Sequence, residues 1–350
     1  MPESKIKIGI AGCGAISSTH ADAINSVQEG TLVAAHSRSR DKLNSFTDRY
    51  KITGFTDYQD FLTHPGLDAI TICTPTGTHL DYGKAAAEAG KHVIVEKPIE
   101  ITTERGQSLI KACANNGVRL AVIYQNRFID DVVQLKRLID QSELGKPVMV
   151  RASVKWFRND QYYRSDDWRA TYALDGGGVV VNQAIHTLDL LQWIMGDISS
   201  LYAYSATLTH DMIEAEDNAV ATFQFKNGCI GTFEASTSIV PARARKIEIN
   251  CANGTALLTG DELKILRKDD NPEPDQEADI STDTSNPSSS LEKGPFRKQY
   301  SQIIKALLAD TKPEVSGPES LKSLALVKAI YTSAELRKEV VPEYMSSTAV

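Results

Sequence analysis

The sequence predicts an α/β protein in two parts: a parallel sheet with helices on both faces, then an α+β domain built on a mostly antiparallel sheet. Three observations predict it. Over residues 1–125, short runs that are apolar on both faces alternate with amphipathic stretches, as buried strands and their covering helices do. A glycine turn, Gly12-Cys13-Gly14, closes the first apolar run and opens the first amphipathic stretch. Beyond Gly145 the apolar residues recur at every second position, the period of half-buried strands.

Each element follows in order. The spacing predicts strands at 5–11, 31–37, 67–73, 92–95 and 119–123, with helices at 16–27, 41–50, 78–89 and 103–116 between them. A connecting helix is expected at 131–140. Strands then follow at 148–156, 201–208, 219–225, 229–236, 246–251, 255–258 and 263–266, with one strongly apolar helix, 184–195, embedded early. Asn227-Gly228 and Asn253-Gly254 separate alternating runs, the pattern of a tight hairpin. Two amphipathic helices, 296–309 and 320–339, close the chain. Before them, 268–295 is rich in Pro, Ser, Asp and Glu and reads as a long mobile loop. These patterns set the domains at 1–125 and 126–350, with the C-terminal helices (296–340) in the second.

A length of 350 residues fits two domains at about 150 residues each. The net charge is −7, but stretch 268–295 carries eight acidic residues against two lysines, so most of that charge is local. The balance makes the chain a poor candidate for a general binder of nucleic acid or anionic membrane, while arguing only weakly against anionic ligands. No apolar run approaches the about 18 residues of a membrane span. The N-terminal residues enter the first strand without the apolar core of an export signal. Cys13, Cys73, Cys113, Cys229 and Cys251 are widely spaced with no C-x-x-C, so reduced thiols, a cytoplasmic location and no metal site are expected.

The turn Gly12-Cys13-Gly14-Ala15-Ile16 sits between strand and helix, where a dinucleotide fold binds its diphosphate. Gly12 permits the tight turn, Gly14 lets backbone approach the anion, and the helix start supplies free N–H groups. Ser17, a small residue, stands where the usual fingerprint has its third glycine. At the end of the second strand an NAD site usually places a carboxylate. Here Ser37 and Arg38 stand instead. A hydroxyl and a guanidinium suit a 2′-phosphate, so NADP is expected ahead of NAD.

Further motifs are Thr74-Pro75-Thr76-x-x-His79, Glu96-Lys97-Pro98, Asn126-Arg127-Phe128, Trp168-Arg169 and the run from Asp175 through Gly178 and Asn182 to His186 and Asp189. In this order, over nearly the whole chain, they resemble the family of glucose-fructose oxidoreductase, inositol dehydrogenase and rhizopine-catabolism proteins (Gfo/Idh/MocA). The resemblance implies a Rossmann domain followed by an α+β domain with a large open sheet, which often mediates oligomers, here a dimer or tetramer. It implies hydride transfer between a nicotinamide and a sugar, cyclitol or nucleotide-sugar-like alcohol or ketone. Lys97 then sits beside the nicotinamide and His186 is the proton-transfer group; an imidazole titrates near neutrality. Thr74, Pro75, Thr76, His79, Glu96, Trp168 and Arg169 are implied on the cofactor side, and Arg127, Tyr162 and Asp189 near the substrate. Many members carry Asp four residues before the histidine, where this chain has Asn182. The i, i+4 spacing predicts Asn182 and His186 on one helix face. A neutral Asn orients the histidine only by hydrogen bonding, so Lys97 is expected to share the acid–base role, and Asp189 is another candidate partner of His186. The second class of function is a non-catalytic, dinucleotide-sensing regulator of the same fold; Lys97 and His186 together favour the enzyme.

Overall fold

Ile8 and Ile10 point to one side of the first strand and Ala11 to the other, yet all are fully buried. Such a strand lies inside a sheet covered on both faces. The computed structural model describes residues 5–270 and 293–344, which divide into one unit of 5–125 with 293–321 and another of 126–270 with 322–344.

The first unit runs β1 (Ile6–Ala11), α1 (Ser17–Asn25), β2 (Gly30–His36), α2 (Arg40–Tyr50), β3 (Thr53–Phe55), α3 (Tyr58–Leu62), β4 (Ala69–Ile72), α4 (His79–Glu88), β5 (His92–Val95), α5 (Thr103–Asn115) and β6 (Leu120–Val122). Its six strands, all parallel, lie in the order β3-β2-β1-β4-β5-β6. The chain builds outward from β1 in one direction and then from β4 in the other. Ligands of such sheets bind where that direction reverses, outside the carboxyl ends of the strands. The turns after β1, β2, β4 and β5 all open at that edge. The three-residue edge strand β3 and the short α3 are absent from the sequence prediction, being too brief to show a period.

The second unit runs α6 (Asp130–Asp140), β7 (Pro147–Lys155), α7 (Asp160–Arg164), α8 (Val179–Asn182), α9 (Ile185–Met195), β8 (Ile198–Ala206), β9 (Asn218–Phe225), β10 (Ile230–Ser236), β11 (Lys246–Cys251), β12 (Gly254–Thr259) and β13 (Glu262–Arg267). Seven strands lie in the order β13-β12-β11-β7-β10-β9-β8. Every neighbouring pair is antiparallel except β7 with β10. Along β9 alternate residues are buried and exposed, the mark of one covered and one open face. The open face presents Met149, Val220 and Ile230. The expected Asn253-Gly254 turn is shifted by one residue: Gly254 already pairs with Cys251, leaving Ala252 and Asn253 as the turn.

The chain ends in α10 (Lys293–Leu308) and α11 (Gly317–Leu336). The prediction placed both helices in the second domain, and this is corrected. Phe296, Tyr300, Ile303, Ile304 and Leu307 of α10 share one apolar core with Ile8, Ile10 and Ile24, so α10 belongs to the first unit, and α11 passes from one unit to the other at residue 322. The acidic stretch predicted as a loop lies largely outside the described residues; of its ends, Lys268–Asp270 forms a short 3-10 turn and 293–295 begin α10. Among the described residues no helix is long and apolar enough to cross a membrane.

Candidate active site

The glycine turn joins β1 to α1. Gly12 has φ +101°, and a Cβ there would lie 2.7 Å from the Cys73 carbonyl oxygen. Both facts exclude a side chain. The Gly12 amide donates to His36 O at 2.8 Å, which docks the turn on β2. At Gly14 a Cβ would meet nothing within 4 Å, so this side of the turn faces open space. Ser17 Oγ donates to Gly14 O at 2.6 Å, closing the turn from the helix side. Ile16, at the start of α1, offers no side-chain cap to the helix N–H groups. Open space, uncapped amides and the positive end of a helix fit a dinucleotide diphosphate. The Cys13 side chain turns inward, and burial pushes its thiol up to about 12, leaving its backbone to the turn.

Ser37, just beyond β2, is buried, and its hydroxyl accepts from the Ser39 amide at 3.3 Å. Arg38 is exposed, and no carboxylate of the described residues engages it. Beyond β4, Thr78 Oγ1 donates to Pro75 O at 2.7 Å and lies 2.8 Å from Thr74 Oγ1, with Thr76 buried in the same turn. His79 is buried with its ring nitrogens 3.0 Å from both Pro98 O and Thr74 O. The ring therefore braces the β4 turn against the β5 turn instead of facing a ligand. Burial lowers its pKa, against the charges of Glu100 and Glu96.

After β5 come Glu96 and Lys97, the latter joined to Pro98 by a cis peptide bond. Glu96 Oε2 accepts from the Lys97 amide at 3.0 Å, while Oε1 lies 2.7 Å from His20 Nε2. The other His20 nitrogen is 2.8 Å from the Tyr300 hydroxyl, which is 3.0 Å from Thr71 Oγ1. His20 is 0% exposed. Burial raises the Glu96 pKa, but His20, the Lys97 charge and the Lys97 amide outweigh it, leaving the carboxyl below its usual range. An ionised Glu96 thus fixes the backbone from which Lys97 projects. Sequence reasoning missed His20 and Tyr300. They lie 280 positions apart on α1 and α10, and no local pattern joins them.

In the second unit, Asp175 precedes Gly176-Gly177-Gly178 and α8. A Cβ on Gly178 would fall 1.8 Å from the Glu216 carbonyl oxygen, so the approach of the segment just before β9 demands glycine there. The Glu216 carboxylate accepts from the Gly178 and Val180 amides at 3.0 and 2.9 Å and from the Tyr331 hydroxyl at 2.9 Å. Burial raises the pKa of Glu216 despite these donors. The expected continuous helix through Asn182 and His186 is corrected: α8 ends at Asn182 and α9 begins at Ile185. The Ala184 amide reaches back to Val179 O, five residues away, which interrupts the register. The i, i+4 geometry does not apply. Instead Asn182 Nδ2 donates to both oxygens of Asp175, at 2.7 and 2.9 Å. The signal for Asp175 was its position at the head of the glycine run.

Two further expectations are corrected. Arg127 and Asp189, expected near the substrate, are 2% and 1% exposed. They form a two-pronged ion pair at 2.7 and 2.6 Å, and Ser323 Oγ donates to the same carboxylate at 2.6 Å. That occupies Asp189, so it is not the partner of His186. Arg169, expected on the cofactor side, donates to the Tyr162 hydroxyl (3.0 Å), Ser165 Oγ (2.9 Å) and Asp166 (3.3 Å). It lies over the rings of Tyr162 and half-buried Trp168, at 4.4 and 4.8 Å. This is a stacked strut. Tyr162 Oη, placed near the substrate by the resemblance, accepts from Gln183 Nε2 at 2.7 Å.

Close by, Phe157, Arg158, Asn159, Thr209, His210 and Ser238 line an open hollow of about 470 Å³. Its floor rests on Asp217, fully buried and accepting from the amides of Leu208, Thr209 and His210 and from His210 Nδ1. Burial raises the Asp217 pKa, yet these donors together hold it well below the usual carboxylate range. A carboxyl depressed on folding stabilises the native state above its unfolded pKa of about 3.9, and loses that contribution as pH falls below it. Asp217→Asn is expected to lower the unfolding free energy by about 2–3 kcal/mol at pH 7. Urea titrations at pH 7 and pH 3 check this, with the gap to the parent chain narrowing at the lower pH.

Residues 6–124 match the family described as "Oxidoreductase family, NAD-binding Rossmann fold", and 132–257 match "GFO/IDH/MocA C-terminal domain". An oxidoreductase of Bacillus subtilis, YrbE, whose function is uncharacterised, is 30% identical over 258 residues, 72% of this chain and 73% of that protein. The myo-inositol 2-dehydrogenase of Thermotoga maritima is 26% identical over 254 residues, 71% of this chain and 74% of its own. Among solved structures, the WlbA dehydrogenase of Bordetella pertussis, in complex with NADH and UDP-GlcNAcA, is 32% identical, with a TM-score of 0.85 over 98% of this chain and 100% of that one.

Proposed function

The chain belongs to the Gfo/Idh/MocA family of NAD-binding oxidoreductases, and on that premise we propose that it exchanges a hydride with an alcohol or keto carbon of a sugar, cyclitol or, with most support, a nucleotide-linked sugar acid. The observation that carries the substrate class is the similarity over essentially the full chain to a dehydrogenase holding NADH and UDP-GlcNAcA. The hollow with Asn159, Thr209 and Ser238 on its wall offers hydroxyl and amide partners of the kind a polyol needs.

A bound nicotinamide supplies the hydride acceptor or donor. The turn at Gly12, Gly14, Ala15 and Ile16 holds the diphosphate, and Ser37 with Arg38 holds the adenosine ribose. Thr74, Pro75 and Thr76 form the neighbouring wall, braced by His79 and Glu96. Lys97 and His186 share the proton transfer at the reacting oxygen. The cofactor proposed is NADP ahead of NAD, because an exposed guanidinium engaged by no described carboxylate matches a 2′-phosphate. The open sheet face bearing Met149, Val220 and Ile230 supports a homo-oligomer, dimer or tetramer. Five free cysteines support a cytoplasmic, reducing location.

The test follows absorbance at 340 nm with NAD+ or NADP+ and a panel of UDP-GlcNAcA, inositols and free sugars. Turnover of a panel member supports the reading; cofactor binding without turnover favours the regulator. Arg38→Ala is expected to raise KM for NADP+ by about 10–100-fold, the worth of one charge-assisted contact, and to leave KM for NAD+ within about twofold. A parent enzyme that prefers NAD+ overturns the cofactor assignment.

A further inference from the structure

A group of aromatic rings gathers at the carboxyl end of β2, beside the Ser37–Arg38 pair. His36, the last residue of β2, is 2% exposed. Its carbonyl oxygen accepts from the Gly12 amide at 2.8 Å, so the residue that docks the glycine turn also carries an imidazole at that edge. The imidazole packs on Tyr58 of α3 and Tyr82 of α4, with ring centroids 5.1 and 5.7 Å away, and on Phe61 at 6.0 Å. Burial lowers the His36 pKa more than the Thr56 backbone and the Asp57 charge raise it, so at neutral pH the ring is uncharged. Tyr58 and Tyr82 meet edge to face at 4.5 Å, and the Tyr58 hydroxyl donates to the Tyr82 carbonyl oxygen at 2.9 Å. Tyr82 is the odd member of α4. The buried residues that follow it, Gly83, Ala86 and Ala87, are all small. Phe61 is fully buried, whereas Tyr82 is half-buried. Its ring is supported by His36 and Tyr58 and still meets solvent. Burial raises its pKa and the Arg38 charge lowers it, so phenol and guanidinium share one corner of the unit. In the sheet β1 lies between β2 and β4. Tyr82, on the helix after β4, therefore reaches across β1 to the end of β2. A dinucleotide with its diphosphate on the turn after β1 lays its adenosine at that end.

We propose that Tyr82 is a further cofactor-binding residue: its ring is the stacking platform for the adenine, while Arg38 reads the group on the ribose 2′ carbon. This rests on the proposed placement of the adenosine at Ser37 and Arg38, and it gives that end two separable contacts. Stacking on a phenol takes up any flat base and is indifferent to a phosphate on the ribose. A guanidinium at the ribose does the reverse, gaining a charge-assisted contact only when the phosphate is present. The support from His36 ties the platform to the glycine turn, so purine and diphosphate are held by one packed unit.

The test measures binding, not turnover, by calorimetry on the full chain. The ligands are ADP-ribose, its 2′-phosphorylated form, and reduced nicotinamide mononucleotide, which lacks the adenosine. Tyr82→Ala is expected to weaken both adenine ligands by about 5–100-fold, the scale for removing one ring from a stacked base, and by the same factor for each. Binding of the mononucleotide should stay within about twofold. Tyr82→Phe keeps the ring and should stay within about twofold of the parent for all three. Arg38→Ala should weaken the 2′-phosphorylated ligand alone. Parental affinity for ADP-ribose in Tyr82→Ala overturns the proposal. So does an equal loss of the mononucleotide, which marks general damage, and so does a loss in Tyr82→Phe as large as in Tyr82→Ala, which makes the hydroxyl the contact. In the parent with labelled tyrosine rings, bound ADP-ribose is expected to show NOEs from its adenine protons to one ring, a signal lost in Tyr82→Phe. Their absence overturns the platform whether or not Tyr82→Ala folds. A parent that binds neither adenine ligand sinks the adenosine placement itself, whereas tight ADP-ribose binding that Tyr82→Ala leaves unchanged sinks only the role of Tyr82.

Discussion

Lys97→Ala and His186→Ala are each expected to lower kcat by about 10²–10⁴-fold, the range for removing a positioned proton-transfer group. The loss belongs in kcat, because neither change touches the glycine turn or the Ser37–Arg38 end that hold the rest of the cofactor. Lys97→Arg is not expected to rescue. A guanidinium is longer and forked, and it does not release its proton near neutral pH, whereas an ammonium does so when desolvated. The double variant should fall little below the worse single, since groups acting on one proton transfer are not additive. Steady-state kinetics with matched cofactor and substrate titrations check all four proteins. Parental turnover in either alanine variant removes that residue from the mechanism. His20→Leu offers a graded companion. It breaks the Glu96 contact that steadies the Lys97 backbone while leaving Lys97 itself in place, so its kcat should lie between the parent and Lys97→Ala.

What could be read from the sequence follows a physical divide. The parallel sheet, the seven further strands and the glycine turn were legible because each is encoded in neighbouring residues: period, turn chemistry and the order of apolar runs. Gly12 could be assigned its role from position alone, and the structure gives the reason in its φ and the Cys73 carbonyl. Partnerships between distant side chains were not legible. Asp189 sits three residues from His186, and helical spacing suggested a pair. The carboxylate instead turns to Arg127, 62 positions earlier, and to Ser323, 134 positions later. Arg169 stood beside Trp168 in a motif implied to hold cofactor, yet nothing local revealed that Tyr162 would take both an N–H and its flat face. The break between α8 and α9 is similar. It shows in the Ala184 amide, which reaches Val179 O, while the start of α8 is held by Glu216, just before a strand that the sequence could place but not dock.

Arg127→Met is expected to lower the unfolding free energy of the chain by about 3–5 kcal/mol, because it strands the Asp189 carboxylate inside the second unit. Asp189→Leu should cost about as much by stranding the guanidinium. Together the two changes should be far milder. Removing both charges of a buried pair is often neutral or stabilising, and the guanidinium already lies 5.3 Å over the Trp193 ring, where a methionine also packs. Ser323 loses its acceptor in the double variant, but a helical serine can turn its hydroxyl to a carbonyl one turn earlier, which limits the remaining cost. Urea unfolding of the four proteins checks this cycle. The same variants decide the role of the pair. A structural pair predicts that Arg127→Met, assayed where it is still folded, keeps its substrate KM within about twofold. A tenfold rise in KM without loss of stability would return Arg127 to the substrate, despite its burial. The geometry favours the first outcome, since both carboxylate oxygens and both facing guanidinium nitrogens are already spent on each other.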